Sequence, residues 1–320
     1  MIGHNRHNKY RRSVYQRRSV STIIITVAIT LTVCMLAMLI FGNILHSKYQ
    51  KDNSADSDHS SESNNQQNTD TYLPPENIKA YSVLIETNDS STFSTRLDSL
   101  PESYQKAVSI PLNKKDGSLL YKSDIAKEIG YESEGFSVTL SNVVEKAKEK
   151  EIYISGVYYI NDFTVEDALL RQVGLARSSA IISEALISGL NEVVIIAPNA
   201  KPDNVDEIIR FIDSIKYNSP NGSLGFAVPE SIFSIEDDTL CSEKILSLSN
   251  NADFLAFNAS VIESSDASEE ITQMLNNQKF YIHKYKMRVL LPKMSTTDEQ
   301  ASIINAVKNA SIDNWQILEY

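Results

Sequence analysis

The chain has 320 residues, and its 30 Lys and Arg against 41 Asp and Glu give a formal net charge of −11. The first 47 residues carry six positive and no negative charges, so the remainder carries a net charge of −17. This balance argues against a nucleic-acid-binding surface, which clusters Lys and Arg to displace phosphate counterions. An acidic surface of this kind is more typical of a solubility device than of a site for a cationic partner.

The segment 20–45 has no formal charge and is long enough to cross a bilayer. A helix of this length spans a hydrocarbon core of about 30 Å. The preceding tail, 1–19, is basic and has no acidic residue, which predicts a single-pass anchor with a cytoplasmic amino terminus and an extracellular carboxyl-terminal domain. A cleaved secretory signal is the alternative, but its apolar region would be only about 7–15 residues long, and 46–48 is a poor cleavage site.

The segment 46–77 consists largely of Ser, Asn, Asp and Gln, with almost nothing to bury. Because it cannot offset the entropy of ordering, we interpret it as a disordered tether to a folded domain, 78–320. That domain has about 240 residues, near the usual size of a (β/α)8 barrel. Cys34 lies in the apolar segment and Cys241 in the domain, so neither a disulfide nor a Cys-based zinc site is expected.

Eight short segments of the domain are rich in β-branched and aromatic residues, with helical periodicity between them. These segments are 81–86, 106–112, 152–160, 192–197, 223–228, 253–258, 287–291 and 315–319. Their near-continuous hydrophobicity suits strands that are buried on both faces. The alternation is typical of βαβ units and predicts a (β/α)8 TIM-like barrel, with an open doubly wound sheet as the alternative.

Helical stretches between these strands are indicated by apolar stripes and capping residues. Apolar residues at i, i+3, i+4 and i+7 predict a helix containing Leu140, Val143, Val144 and Ala147. Further helix starts are predicted at Thr164 with Asp167, at Pro202-Asp203, and at Thr296 or Thr297.

Four segments carry local patterns that occur in the same order in a known family. They are 108–121 (VSIPLNKKDGSLLY), 151–162 (EIYISGVYYIND), 189–198 (GLNEVVIIAP) and 303–320, which contains Trp315. Together they resemble, in a degenerate form, the glycoside-hydrolase-like TIM-barrel domain of Gram-positive bacterial surface proteins. The resemblance covers nearly the whole domain and implies the same barrel.

The departures from that family concern its acidic positions. The acid of the second strand falls at about Pro111, the arginine of the third strand becomes Val157, and the Asp of the fourth strand becomes Ile196. The penultimate strand, where the family tends to have Gln-Asp, ends in Lys293. Glycoside hydrolysis needs two carboxyl groups flanking the bond. The resemblance therefore implies a retained scaffold that has lost its catalytic acids.

Several carboxylates remain near the predicted strand ends: Glu86, Asp116, Asp162, Glu230 and Glu319. One alternative is a relocated catalytic pair, for instance Asp162 with Glu230, which would follow neighbouring faces of the barrel mouth. The alternative is that Asp162 caps the next helix and Glu230 lies in a solvated loop. Glu319 is interpreted as structural.

Tyrosines are numerous in the domain, and Tyr158 and Tyr159 point to opposite faces of the third predicted strand. One of them is therefore expected to line the barrel mouth, where an aromatic ring can stack on a sugar. Core filling is the alternative. Together with Asp116, these two tyrosines are the candidate ligand-binding residues.

No metal or cofactor is predicted from the motifs of the chain. Four of the five histidines lie before the domain, which leaves His283 alone within it. The sequence contains no HExxH motif, no Asp-rich calcium loop, no G-x-S-x-G nucleophile elbow and no phosphate-binding glycine loop.

These observations lead to one expected function and two alternatives. We expect a membrane-anchored surface protein whose inactive barrel binds wall polysaccharide or an envelope protein as a binding or scaffolding module. The first alternative is an active glycoside hydrolase with relocated carboxylates. The second is a purely structural role in secretion or spore-envelope assembly.

Overall fold

The computed structural model describes five stretches of the chain, all within the compact unit 69–320. They are 77–84, 90–100, 106–130, 138–262 and 266–319. The predicted tail 1–19, the predicted anchor 20–45 and all but the last residue of the predicted tether 46–77 lie outside these stretches. Within the five stretches, no helix combines the length and the apolar character needed to cross a bilayer.

In these stretches, eight parallel strands pair in chain order and close into a barrel. The strands are β1 (Lys79–Ser82), β2 (Ala107–Pro111), β3 (Tyr153–Tyr159), β4 (Glu192–Ile196), β5 (Ser223–Val228), β6 (Phe254–Asn258), β7 (Arg288–Pro292) and β8 (Trp315–Leu318). Closure is made by β1 and β8, where Lys79 lies opposite Trp315 and Ala80 opposite Gln316. Because both edges are paired, the (β/α)8 barrel is confirmed and the open sheet is wrong.

Helices lie between the strands in each part of the barrel that the structure describes. They are α1 (Ser90–Asp98), α2 (Asp124–Glu128), α3 (Leu140–Glu149), α4 (Ala168–Ile187), α5 (Val205–Asn218), α6 (Glu230–Phe233), α7 (Asp238–Ser249), α8 (Ala267–Lys284) and α9 (Thr297–Asn309). Short 3-10 segments, Asp162–Thr164 and Pro202–Asn204, precede α4 and α5.

The capping residues of α9 and α4 can be compared with the predicted ones. At α9, the Thr296 hydroxyl accepts a hydrogen bond from the Glu299 N–H at 3.2 Å, and the Glu299 carboxylate accepts one from the Thr296 N–H at 3.2 Å. This reciprocal capping box confirms the predicted start of α9 at Thr296. At α4, Asp167 caps the helix, accepting from two first-turn N–H groups at 2.9 and 3.0 Å, whereas Thr164 lies in the preceding 3-10 segment.

The two faces of each strand serve different parts of the core. Outward side chains such as Val108, Ile110 and Ile154 belong to the large apolar cluster under the helices. Inward side chains such as Val157 and Val194 form a second cluster that fills the barrel. Burial on both faces is the reason that the strands are almost continuously hydrophobic.

The amino-terminal end of the barrel interior is polar. Glu192 and Arg288, the first residues of β4 and β7, form a buried ion pair there. Gln316 of β8 accepts a hydrogen bond from Arg288 at 3.2 Å and from Ser155 at 3.3 Å, and it donates one to Ser109 at 2.7 Å. TIM barrels house catalysis at the opposite end, so these groups stabilise the fold.

Candidate functional site

The carboxyl ends of the strands form the barrel mouth, where this fold places its chemistry. Inside the barrel, the side chains nearest this end include Tyr159, Ile196, Ala227 and Leu318, which pack together and are buried. Ile196 is the position at which the resemblance drawn from the sequence led us to expect an acid in a functional site. The interior below the mouth is therefore closed by apolar side chains.

A cavity of about 160 Å³ lies at the carboxyl ends of β4, β5 and β6, and we call it the β4–β6 cavity. Its polar lining consists of Glu230, Asn258, Asn277 and Gln278. Asn258 ends β6, and its side-chain oxygen accepts hydrogen bonds from the backbone and hydroxyl of Ser260 at 3.1 and 2.6 Å. Asn277 and Gln278 project from α8. Amides thus supply most of the polar groups at this cavity.

The apolar lining of the β4–β6 cavity includes Phe233, Phe257 and Met274. The rings of Phe233 and Phe257 pack edge to face with centroids 5.5 Å apart. Phe233 also packs against Tyr281, at 6.0 Å between centroids. These contacts fix the aromatic wall in place, because each ring is held by another.

Glu230 is the first residue of the four-residue helix α6, and its side chain is exposed. The prediction that Glu230 lies in a loop is therefore wrong. Its side chain is solvated, as that prediction also stated. Among the described residues that line the β4–β6 cavity, Glu230 is the only carboxylate. Glycoside hydrolysis there would need a second carboxyl group facing Glu230 across the bond.

Asp162 begins the 3-10 segment between β3 and α4, which follows the carboxyl end of β3. Its Oδ2 accepts a hydrogen bond from the Ser178 hydroxyl at 3.3 Å, and a Cβ added to Gly174 would lie 1.9 Å from its Oδ1. Burial raises the pKa of Asp162, against the opposing effects of Ser178 and Arg177. Because Asp167 caps α4, the expectation that Asp162 is the helix cap is wrong.

The proposed pair of Asp162 and Glu230 follows two strands that are not neighbours, since β4 lies between β3 and β5. Glu230 lines the β4–β6 cavity, whereas Asp162 is absent from the described lining of both cavities at the mouth. The two carboxylates therefore do not share either of these two cavities.

Asp116 lies in an exposed turn after β2. Its Oδ1 accepts hydrogen bonds from the backbone N–H of Ser118, at 2.8 Å, and from the Ser118 hydroxyl. These bonds hold the pKa of Asp116 below its usual value. Next to it, Asn161 donates to the Lys115 carbonyl at 2.6 Å and ties this turn to the end of β3.

Tyr158 and Tyr159 do point to opposite faces of β3, but both are buried. Tyr158 faces α4, where its hydroxyl donates to the Ser178 hydroxyl at 3.4 Å. Tyr159 faces the barrel interior and packs in the apolar cluster there. Neither ring lines a described cavity at the mouth, so both contribute to the core.

A second cavity, of about 410 Å³, lies at the ends of β1, β7 and β8, and we call it the β1–β8 cavity. Among the described residues, its charged lining is Arg96, Lys293 and Glu319. Lys293 Nζ lies 2.5 Å from Glu319 Oε2 and 5.9 Å from the centroid of the Tyr81 ring. Glu319 was interpreted as structural, and in the structure it pairs with Lys293.

The remaining predictions concern metals, thiols and Glu86. In the part of the chain that the structure describes, no three His, Cys, Asp or Glu side chains cluster as a metal site. Cys241 is a buried free thiol. Glu86 lies outside the described residues.

The amides of the β4–β6 cavity were not predicted from the sequence. Asn258 ends a predicted strand, and that position was a usable signal for a mouth residue. Asn277 and Gln278 lie in the middle of α8, and their place at the cavity depends on how α8 packs. No local pattern marks them.

The fold places the chain among TIM-like (β/α)8 barrels. No protein-family model matches it, and no curated protein matches it in sequence. Among solved structures, it is similar to one described as a putative alpha-L-fucosidase from Bacteroides thetaiotaomicron, with 12% identity and a TM-score of 0.53 over 82% of this chain and 91% of that one. It also matches the spore cortex-lytic enzyme SleL of Bacillus cereus, with 11% identity and a TM-score of 0.46 over 76% of this chain and 71% of that one. At this identity the likeness is one of fold.

Proposed function

We propose that the domain 78–320 binds a carbohydrate at the β4–β6 cavity and does not hydrolyse glycosidic bonds. The observation that carries this proposal is the lining of the cavity, which has amides and aromatic rings and, among its described residues, a single carboxylate. Amides both donate to and accept from sugar hydroxyls, and an aromatic wall packs on the apolar face of a sugar ring. Hydrolysis needs a second carboxyl within about 5–10 Å of the first.

The cavity volume also bears on the class of ligand. About 160 Å³ is small beside the roughly 300–1,000 Å³ of pockets for drug-sized molecules. A single ring of a larger glycan matches such a cavity better than an extended chain does. One structural relative is described as a fucosidase, but because that likeness is one of fold, the cavity lining carries the proposal.

We propose further that the segment 20–45 anchors the chain in the cell membrane, with the amino terminus in the cytoplasm and the barrel outside. The charge-free length of this segment and the basic tail before it support that topology. The partner would then be cell-wall polysaccharide or an envelope protein, and the barrel a binding or scaffolding module.

The binding test uses the full chain, purified in detergent and offered a panel of wall polysaccharides. We expect retention on at least one polysaccharide without release of reducing sugar. Asn277→Ala and Gln278→Ala should each weaken retention about fivefold, since each removes hydrogen bonds worth about 1 kcal/mol. Asn309→Ala, at the exposed end of α9, is the matched control and should leave retention unchanged.

Other outcomes of this test contradict the proposal. Release of reducing sugar that is lost in Asp162→Asn or Glu230→Gln would establish the alternative, an active hydrolase with relocated acids. Failure to bind any polysaccharide would contradict carbohydrate binding and would favour an envelope protein as the partner.

The topology has a test of its own in a Gram-positive host. The full chain should stay with the membrane after alkaline carbonate extraction, and protease added to intact, wall-stripped cells should digest the barrel. Deletion of 20–45 should abolish membrane retention. A barrel that only lysed cells expose to protease would contradict the proposed orientation.

A further inference from the structure

The β4–β6 cavity has one charged side chain among its described lining residues, the carboxylate of Glu230. In the part of the chain that the structure describes, this carboxylate makes no hydrogen bond or ion pair. The cations nearest to the lining in sequence, Lys201 and Lys279, are exposed and do not belong to it. The residues 263–265, outside the described stretches, read Glu-Ser-Ser and add no cation. The described lining therefore has a negative charge that no described cation neutralises.

The short helix α6 fixes the position of this charge beside the aromatic wall. Glu230 and Phe233 are three residues apart in α6, a spacing that places two side chains on the same face of a helix. Both accordingly line the cavity. The helix is held by the buried Ile232 and by Ser231, whose hydroxyl donates to the Ala200 carbonyl at 2.6 Å. The carboxylate thus extends from an ordered backbone.

The neutral groups of the cavity do not oppose a positively charged ligand. The rings of Phe233 and Phe257 have a negative electrostatic potential over their faces, which attracts an ammonium group. The amides of Asn277 and Gln278 carry no charge, and neither side chain makes a hydrogen bond to another described residue. These amides remain available to sugar hydroxyls, as donors and as acceptors.

We propose that the sugar bound at the β4–β6 cavity is an amino sugar with a free, protonated amine. This inference rests on the proposed carbohydrate binding and names the class of sugar. Glu230 accepts a charge-assisted hydrogen bond from the ammonium group, the amides contact the hydroxyls, and the aromatic wall packs on the ring. An N-acetylated sugar has a neutral acetamide in place of the amine, so it lacks the charge pair with Glu230.

The test is calorimetric titration of the full chain in detergent, at constant ionic strength and about pH 5.5, where amines are protonated. The probes are the β-1,4-linked trimers of D-glucosamine and of N-acetyl-D-glucosamine, which differ only in the substituent on nitrogen. We expect the amine trimer to bind about fivefold more tightly, because it gains one partly screened charge-assisted contact. Trilysine, a cation without a sugar ring, should bind at least about fivefold more weakly than the amine trimer.

Variants separate recognition at the cavity from the general acidity of the chain. Glu230→Gln removes the charge at nearly constant size, and the ratio of the two dissociation constants should fall to within about twofold of one. Asn277→Ala should weaken the binding of both trimers, because it removes a contact to the sugar hydroxyls. The matched control is Glu236→Gln, which removes an exposed carboxylate that follows α6 and is outside the described lining. It should leave both dissociation constants unchanged.

Thermal unfolding of each unliganded variant checks that it folds, and Glu230→Ala replaces Glu230→Gln if the latter does not. Equal binding of the two trimers overturns the amino-sugar inference and leaves carbohydrate binding in place. Binding of neither trimer also overturns it, and the polysaccharide panel then tests carbohydrate binding separately. A preference for the amine trimer that persists in Glu230→Gln, that is lost in Glu236→Gln, or that trilysine matches would assign it to charge elsewhere and overturn the inference.

Discussion

Arg288 and Glu192 form a bidentate ion pair inside the barrel, between strands that are not neighbours. The side chains are 1% and 0% exposed. Arg288 Nη2 lies 3.1 Å from Glu192 Oε2, and its Nη1 contacts Oε1. The Arg288 guanidinium lies 4.0 Å above the Phe254 ring, and the Tyr153 hydroxyl donates to Glu192 at 2.7 Å. Every charged atom thus has a partner, which is the condition for burying a pair.

Removing one member of this pair should be strongly destabilising. Arg288→Met leaves a buried carboxylate without its counter-charge, and we expect a loss of about 3–5 kcal/mol in the free energy of unfolding, measured by urea titration. The double variant Arg288→Met with Glu192→Leu removes both charges and should recover more than half of that loss.

The matched control is Arg171, whose Nε pairs with Glu207 Oε1 at 3.0 Å on partly exposed side chains. Arg171→Met should cost about 1 kcal/mol or less, because solvent screens the pair. Equal losses of unfolding free energy in Arg171→Met and Arg288→Met would show that burial does not determine how much the interior pair contributes.

Gly174 allows α4 to approach Asp162. A Cβ at this position would lie 1.9 Å from Asp162 Oδ1 and 2.6 Å from its Cγ. Within a helix, Gly→Ala ordinarily gains about 1 kcal/mol. Here we expect Gly174→Ala to lose about 1–3 kcal/mol, since the clash forces α4 or the carboxylate to move. In the background of Asp162→Ala the same substitution should become neutral or stabilising. A stabilising Gly174→Ala in the parent chain would contradict this packing.

Asp162 should also give a pH-dependent contribution to stability. Its folded-state pKa is raised, chiefly by burial, so the folded chain holds this proton more tightly than the unfolded chain does. Between the unfolded and folded pKa values, the contribution of Asp162 therefore becomes less favourable as the pH rises. The difference in unfolding free energy between the parent and Asp162→Asn should shift in favour of the variant as the pH rises from about 3 to 7. A difference that is constant with pH would contradict the raised pKa.

The barrel could be predicted because most strands are buried on both faces and several helix starts carry a capping signal. Strands such as β5 and helix caps such as Thr296 depend on residues that are close in sequence. The strand ends at Ile196 and just before Lys293 could also be located from the sequence. Local pattern was sufficient for all of these features.

The site residues that sequence analysis missed depend on distant contacts. Arg96 reaches the β1–β8 cavity because α1 packs near the end of β1, and Asn277 reaches the other cavity through the packing of α8. Asp162 was expected to cap a helix, but the backbone after β3 forms a 3-10 turn that gives this position to Asp167. Tertiary packing decides which residue caps the helix, because several neighbouring residues are equally suited to capping by their local sequence.

Glu184 of α4 is a buried carboxylate that joins α4 to α2. Its two oxygens accept from the Ser123 hydroxyl at 2.5 Å, the Tyr121 hydroxyl at 3.2 Å, and the backbone N–H groups of Asp124 and Ile125 at 3.0 and 3.2 Å. These N–H groups belong to the first turn of α2, where a helix has no internal acceptors. The Glu184 carboxylate of α4 thus accepts the hydrogen bonds of N–H groups at the start of α2.

Glu184→Ala should therefore detach α2 while leaving the barrel closed. We expect a loss of about 2–4 kcal/mol in unfolding free energy, because several buried donors lose their acceptor at once. Hydrogen exchange of the Asp124 and Ile125 amides should quicken far more than that of β4, whose amides pair within the sheet. Glu145→Ala, an exposed glutamate on α3, is the control and should change neither measurement. Equal protection of the α2 amides in Glu184→Ala and in the parent would show that α2 is held by its apolar contacts alone.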